Sequence, residues 1–123
     1  MKAEELMLGD YVQNTAGIIG KVIGIKPTEI IMQYHDNSTC FSDPKLLEPI
    51  PLTPEILEKN GFKPGRISWI FWDEETDECL IVLKRINNAF IFPPLAGISF
   101  GIQYVHELQH LFRLGGIKKE III

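Results

Sequence analysis

This sequence has few cysteines, no excess of positive charge and no long apolar run. The two cysteines, Cys40 and Cys79, lie far apart without a C-x-x-C spacing, which favours reduced thiols in a cytoplasmic protein over a disulfide framework. The net charge is −4 and neither half of the chain is basic, so binding to the phosphate backbone of a nucleic acid is disfavoured. No apolar run approaches the roughly 18 residues of a membrane span. The acidic first residues also lack the apolar core of a signal peptide.

The composition is otherwise that of an ordinary globular protein. The chain has 123 residues, of which 46% are apolar and 23% charged, which is enough to bury a core without disulfides or metals. We expect an α+β protein dominated by strands, with a small barrel in residues 1–50. Residues 51–123 are expected to hold a linker helix, an antiparallel meander and a closing helix, packed with the barrel as one compact unit.

The first part has the pattern of five short strands with glycines at the bends. They are predicted at Leu8–Val12, Ile18–Ile25, Glu29–Tyr34, Thr39–Ser42 and Leu46–Ile50. The order G-D-Y-V, then G-x-I-G-K-V-x-G-I, then a return strand, resembles SH3-like barrels of the KOW or Tudor kind. That resemblance implies binding of a peptide or of RNA, and the acidic balance weighs against RNA. The alternative is a barrel that only packs against the rest of its own chain.

The second part begins with a helix signal, in which Thr53 is the N-cap, Pro54 the first helical residue and Gly61 the stop. Four strands of a meander follow, at Ile67–Trp72, Cys79–Arg85, Ala89–Phe92 and Ile98–Ile102. The acidic turn Asp73–Glu78 lacks the spacing of a calcium loop, so we interpret it as a solvated loop.

Aromatic side chains in the first meander strand suggest an interaction surface. Trp69 and Phe71 share one face of the strand, whereas Trp72 points to the other face. One tryptophan is therefore expected to be exposed or covered by a partner. With Tyr11 of the first part, Trp69 and Trp72 are the candidate interaction residues.

The closing helix, predicted at Tyr104–Leu114 before a Gly-Gly stop, contains the string His-Glu-Leu-Gln-His. His106 and His110 are one helical turn apart and can reach one zinc ion, and Glu107 between them has the position of a general base. A zinc site needs a third protein ligand, but no histidine follows, and His35 lies in the first part. The simpler interpretation is a solvated polar face opposite an apolar stripe of Val105, Leu108, Leu111 and Phe112. We therefore expect no cofactor, with zinc as the alternative.

Three segments carry a further resemblance. KAEELMLGDYV, EPIPLTPEILEKNGF and YVHELQHLFRLGGI resemble a family of small proteins from gut Bacteroidetes and their phages or mobile elements. In that family the closing helix more often reads V-H-Q-L-Q-N-L-Y, so Glu107 and His110 depart from its pattern. The family has no established activity to transfer. For the matching residues His106, Leu108 and Gln109 it implies docking of the helix to the meander.

We expect a non-enzymatic interaction or structural module that binds another protein. The apolar tail Ile117–Ile123 is expected to add an edge strand or to self-associate with a second copy. The alternative is a zinc-dependent, metallopeptidase-like hydrolase that uses His106, His110 and Glu107.

Overall fold

The computed structural model describes residues 1–66, 68–73, 75–76, 78–86, 89–95 and 98–123, with the side chains of 86, 89, 92–95 and 98–100 left out. Several predicted features fall on the remaining positions. The first residue of a predicted strand, Ile67, and the predicted turn Asn87-Asn88 lie outside the described residues. Glu74 and Asp77 of the acidic turn also lie outside them.

The predicted class, α+β with most ordered residues in strands, is confirmed. The described residues form two antiparallel sheets, ordered β1-β2-β3-β4 and β5-β6-β7-β8-β9, and two α-helices. Their bounds are β1 Tyr11–Gln13, β2 Ile19–Lys26, β3 Glu29–Tyr34, β4 Thr39–Ser42, α1 Pro54–Lys59, β5 Phe62–Pro64, β6 Ser68–Asp73, β7 Glu78–Ile86, β8 Ala89–Leu95, β9 Ile98–Ile102 and α2 Val105–Leu114.

In the strands of the first sheet, buried residues alternate with more exposed ones. Its inner face carries fully buried β-branched and aliphatic side chains, because every second residue of a strand points the same way. Val22 pairs with Met32 across β2 and β3, and both are buried. The core of this unit consists of Leu6, Val12, Val22, Ile30, Met32 and Leu47.

The predicted fifth strand of the first part, Leu46–Ile50, is replaced by a turn and a single bridge. Pro44–Leu46 forms a 3₁₀ turn, capped by Asp43, whose side chain accepts the backbone N–H of Lys45 at 2.9 Å. Glu48 then exchanges two backbone hydrogen bonds with Gln13 of β1, at 3.0 and 2.8 Å. Within residues 1–51, the sheet therefore has four strands and does not close into a barrel.

Helix α2 groups with the first sheet. The chain divides into a first unit, residues 1–51 with 104–118, and a second unit, residues 52–103 with 119–123. This division differs from the predicted boundary, which placed all of 51–123 together. The reason is physical, because α2 contacts β1 and its Gln109 side chain bonds to the backbone there.

The second unit begins with α1, which forms as its local signals predict. Thr53 Oγ1 accepts the backbone N–H of Ile56 at 3.3 Å. The helix ends at Lys59, and Gly61, two residues later, has a φ of +91° that suits glycine. The strand β5 was not predicted. Its Phe62 pairs with Phe71 of β6, with ring centroids 5.3 Å apart, so the chain after α1 adds an edge to the meander.

The C-terminal tail is held by a side chain of its own unit. Asn60 is fully buried, its Nδ2 donates to the carbonyl of Ile122 at 2.6 Å, and its Oδ1 accepts the N–H of Ile122 at 2.6 Å. The neighbouring Ile121 is buried. Both peptide groups of Ile122 are thus paired with Asn60, and the predicted self-association through the tail stays a prediction.

Of the described helices, none combines the length and apolar character that crossing a membrane requires.

Candidate functional site

Helix α2 carries the polar residues that the sequence singled out. Three residues of its predicted apolar stripe, Val105, Leu108 and Phe112, are buried, and the fourth, Leu111, is half-buried. At its first turn the Glu107 carboxylate accepts the backbone N–H of Tyr104 at 3.1 Å. This bond satisfies a donor that the helix itself leaves unpaired. Glu107, predicted as a general base in the zinc alternative, therefore has a structural role at the helix start.

The side chain of Gln109 fastens α2 to the start of β1. Its Oε1 accepts the N–H of Tyr11 and its Nε2 donates to the carbonyl of Gly9, both at 2.9 Å. The amide thus pairs with the strand as a backbone peptide would. The resemblance implied docking of Gln109 to the meander, but these bonds are made to the first unit.

Asp10 is a buried carboxylate that three donors surround. Its Oδ1 accepts from Arg113 at 2.9 Å, and its Oδ2 lies 2.6 Å from Nε2 of His110 and 2.8 Å from the N–H of Met7. The side chain is fully buried, so these charge-assisted bonds compensate its desolvation. The Gly9 backbone, with a φ of +90°, permits this approach, since an added Cβ would lie 3.1 Å from Nη2 of Arg113.

His106 is buried, which contradicts the interpretation of a solvated polar face. The residue is only 6% exposed, and its Nδ1 has no hydrogen-bond partner among the described residues. Its ring stacks on Tyr104, with centroids 5.9 Å apart and planes at 11°, and meets His110 edge-on at 5.6 Å. Burial lowers the pKa of His106, although the nearby carboxylates of Asp10 and Glu107 oppose this shift. The ring is therefore neutral at pH 7.

A surface pocket opens beside these rings, which we call the α2 pocket. Its volume is about 350 Å³. It is lined by Met1, Glu5, Pro49, Tyr104, His106, Glu107 and His110. Both histidines of the H-E-x-x-H string thus face one pocket whose walls carry two further carboxylates.

The structure brings a carboxylate to the histidine pair, which the zinc alternative requires. The distance between Nε2 of His110 and Oδ2 of Asp10, 2.6 Å, is that of a hydrogen bond. Two ligands of one tetrahedral zinc ion lie about 3.3 Å apart, as follows from bond lengths near 2.0–2.2 Å. In the part of the chain that is described, no three His, Cys, Asp or Glu side chains are grouped to hold a metal ion.

The three predicted interaction residues have different environments. Trp69 is half-buried and pairs with the fully buried Leu83, whereas Trp72 is 37% exposed and pairs with the exposed Cys79. Tyr11 is half-buried in the first unit.

Sequence reasoning missed two features of the first unit. One is Asp10, which appeared only as part of a Gly-Asp turn. The other is the β2–β4 apolar face, which we define as Ile23, Ile31 and Phe41. Phe41 is 60% exposed and lies directly opposite Ile31, and Ile23, at a bulge in β2, is 42% exposed. The alternation of Thr39–Ser42 was the available signal, because it puts Phe41 on the opposite side to Cys40.

Comparisons of the chain with models of protein families, with curated proteins and with solved structures give no match. The resemblance to a Bacteroidetes family stays a prediction.

Proposed function

We propose that this protein is a non-enzymatic interaction module that binds an extended apolar segment of another protein along β4. The observation that carries the proposal is the exposure of Phe41, 60% open on the outward side of the first sheet. A single exposed apolar residue is ordinary, whereas neighbouring ones on adjacent strands mark a binding surface. The free cysteines Cys40 and Cys79 support a cytoplasmic location.

The position of β4 supports this mode of binding. It is the last strand in the order of the first sheet, so one side of its backbone has no strand partner within residues 1–51. Exposed edges are usually protected by lysine, proline or a bulge. Thr39–Ser42 contains neither residue type and no charge. An added strand would gain backbone hydrogen bonds from this edge, and its side chains would contact the apolar face.

The backbone of β2 shapes the apolar face beside that edge. Gly24 pairs with Ile31, and an added Cβ at Gly24 would lie 2.8 Å from Cδ1 of Ile31. The glycine therefore lets the side chain of Ile31 lie across β2. Ile23 is the additional residue at the bulge, and alternation from buried Val22 directs it outward.

The test is selection of random short peptides displayed on phage against the immobilised protein. We expect selected peptides to be apolar and to bind in solution, and Phe41→Ser to reduce their affinity at least about tenfold, as loss of a buried aromatic contact would. Trp72→Ser is the matched control, since it removes an exposed aromatic residue from the other unit. Selection of no peptide, or a loss caused by Trp72→Ser and not by Phe41→Ser, would refute the β4 proposal.

A zinc-dependent hydrolase is the second candidate, favoured by the contact of Asp10 with His110. The H-E-x-x-H string supplies two zinc ligands, and a catalytic zinc site needs a third ligand from another part of the chain. We rank it second because His110 would have to give up a 2.6 Å bond to Asp10 before Nε2 could bind a metal. Glu107 would also have to leave the N–H of Tyr104 to act on water.

Metal analysis separates the two candidates. Protein purified without added zinc is expected to contain far less than one zinc ion per chain. Near-stoichiometric zinc that is lost in both His106→Gln and His110→Gln would reverse the ranking. His35→Gln is the control, because His35 lies in the turn between β3 and β4.

A further inference from the structure

The second sheet has one face that carries apolar side chains and a lysine. We call it the β6–β7 outer face and define it as Ile70, Trp72, Leu80, Val82 and Lys84. Residues paired across strands share a side of the sheet, and neighbours along a strand alternate sides. These five residues alternate with the buried core residues of β6 and β7, so they point away from that core. Trp72, Leu80 and Lys84 are exposed, and Ile70 and Val82 are half-buried. Exposed apolar side chains on adjacent strands are typical of a binding surface.

The pairing of β6 with β7 gives this face a midpoint. Ile70 lies directly opposite Val82, and Ser68 lies directly opposite Lys84. Trp72 is two residues beyond Ile70 in the other direction. Trp72 and Lys84 are therefore on opposite sides of the Ile70–Val82 pair, each about 6–7 Å from it along the strands. A half-turn about an axis along that pair would bring Trp72 of one copy over the Ser68–Lys84 pair of another.

The two ends of the β6–β7 outer face are flanked by charges of opposite sign. Basic side chains lie at the Lys84 end, and acidic ones at the Trp72 end. The described members are Arg66, Lys84 and Arg85 at the first end, and Asp73, Glu75 and Glu78 at the second. Two copies stacked with their strands in the same direction would bring like charges together, whereas reversed strands bring opposite charges together. The face is therefore electrostatically complementary to itself when the strands are reversed.

We propose that the β6–β7 outer face binds the same face of a second copy of this chain, with the strands reversed. The two copies are related by a two-fold axis along the Ile70–Val82 pair, so that one patch meets itself, as in most protein dimers. Ile70, Leu80 and Val82 supply the apolar centre between two sheets about 10 Å apart. At each end the ammonium group of Lys84 meets the ring of Trp72 from the other copy in a cation–π contact. A face of this size is smaller than the roughly 800 Å² per partner of a standard interface, so we expect a dissociation constant on the order of 10 μM.

The experiment is sedimentation equilibrium of the full chain at total concentrations from about 1 to about 300 μM, which bracket this dissociation constant. We expect the mean mass to rise from one chain toward two. Trp72→Lys and Lys84→Glu should each weaken dimerisation at least about tenfold, because each places like charges next to one another in the dimer. Lys59→Glu is the matched control, since it makes the same charge change as Lys84→Glu but on α1. It should alter the dissociation constant by less than about twofold.

A mixture of the two variants separates a lost contact from a lost fold. In a mixed dimer one contact between Trp72 and Lys84 is natural, and at the other end the introduced lysine meets the introduced glutamate. We expect the equimolar mixture of Trp72→Lys and Lys84→Glu to dimerise at least about tenfold more tightly than either variant alone. A natural chain that stays monomeric at about 300 μM, dimerisation unaffected by both variants, or a mixture no heavier than the variants alone would overturn the proposal.

Phe41→Ser keeps this test separate from the β4 proposal, because Phe41 lies in the first unit. We expect Phe41→Ser to leave the dissociation constant of the dimer within about twofold of its natural value. Loss of the dimer in Phe41→Ser, with dimerisation kept in Trp72→Lys and Lys84→Glu, would assign self-association to β4 and would overturn the proposal for the β6–β7 outer face.

Discussion

Nε2 of His110 lies 2.6 Å from Oδ2 of Asp10, although 100 positions separate the two residues in the chain. The contact joins the start of β1 to the last turns of α2. Asp10 is fully buried, whereas the side chains of His110 and Arg113 keep 25% and 33% of their exposure. The carboxylate is therefore the buried member of the cluster, and the side chains of His110 and Arg113 reach it from the surface.

Asp10→Asn is expected to destabilise the protein by about 2–3 kcal/mol, because it removes the buried charge to which Arg113, His110 and the N–H of Met7 are bonded and leaves an amide that can accept fewer of these bonds. The measurement is the urea midpoint of unfolding at constant m-value. Asp43→Asn is the control, since asparagine also accepts the N–H of Lys45 at a cap, and it should cost less than about 0.5 kcal/mol. Equal midpoints for Asp10→Asn and the natural protein would show that the cluster contributes nothing to stability.

Gln109→Leu should cost about 2 kcal/mol and should release the amide proton of Tyr11. Leucine fills much of the volume but leaves the N–H of Tyr11 and the carbonyl of Gly9 without their partners. Hydrogen exchange at Tyr11 is expected to accelerate by about tenfold or more, in line with one lost protecting bond. An unchanged rate at Tyr11 would contradict the role of Gln109.

The free energy of unfolding should decrease when the pH is lowered, because the ring of His106 is buried in the folded state. Burial lowers the pKa of His106 in the folded state below its ordinary value of 6.5. As the pH falls through about 6.5, the unfolded chain binds a proton that the folded ring does not. The free energy of unfolding therefore decreases as pH falls, and this contribution stops changing below the folded pKa.

The measurement that checks this sign compares unfolding free energies at about pH 7.5 and about pH 5. The decrease should be smaller in His106→Gln than in the natural protein. His35→Gln is the control, because it removes an exposed histidine in the turn between β3 and β4. A steeper decrease in His106→Gln would mean that the ring gains a proton more readily when folded.

Short sequence patterns predicted the ends of a helix in this chain, but they did not predict side-chain contacts between residues far apart in the sequence. Thr53, Pro54 and Gly61 determine where α1 begins and ends through bonds within a few residues, so the sequence was sufficient there. The partners of Asp10 lie about 100 residues away, so no short pattern marks them.

The histidine string shows the same limit at the candidate site. The spacing predicted that His106 and His110 lie one helical turn apart, and both line the α2 pocket. The burial of the two rings depends on their contacts with Asp10 and Tyr104, and no local sequence pattern indicates the contact with Asp10, which lies about 100 residues away. The role of Glu107 at the helix start is local but was not predicted. A glutamate at the third helical position usually accepts the backbone N–H of a serine or threonine N-cap, whereas here the N-cap is Tyr104.

Asn60→Ala is expected to free the C-terminal tail from the second unit. The side chain of Asn60 donates to the carbonyls of Ile56 and Ile122 and accepts the N–H of Ile122, at 2.6–2.7 Å. Alanine removes all three bonds, which should cost about 2 kcal/mol after the tail is rehydrated. The amide proton of Ile122 should then exchange with solvent at a rate close to that of an unprotected peptide. Lys119→Ala is the control, because it removes the bond from Nζ to the carbonyl of Asn60 and the cation–π contact with Phe71 but leaves the bonds between Asn60 and Ile122, so the amide of Ile122 should stay protected. If the amide of Ile122 stayed protected in Asn60→Ala, packing of the buried Ile121 alone would hold the tail.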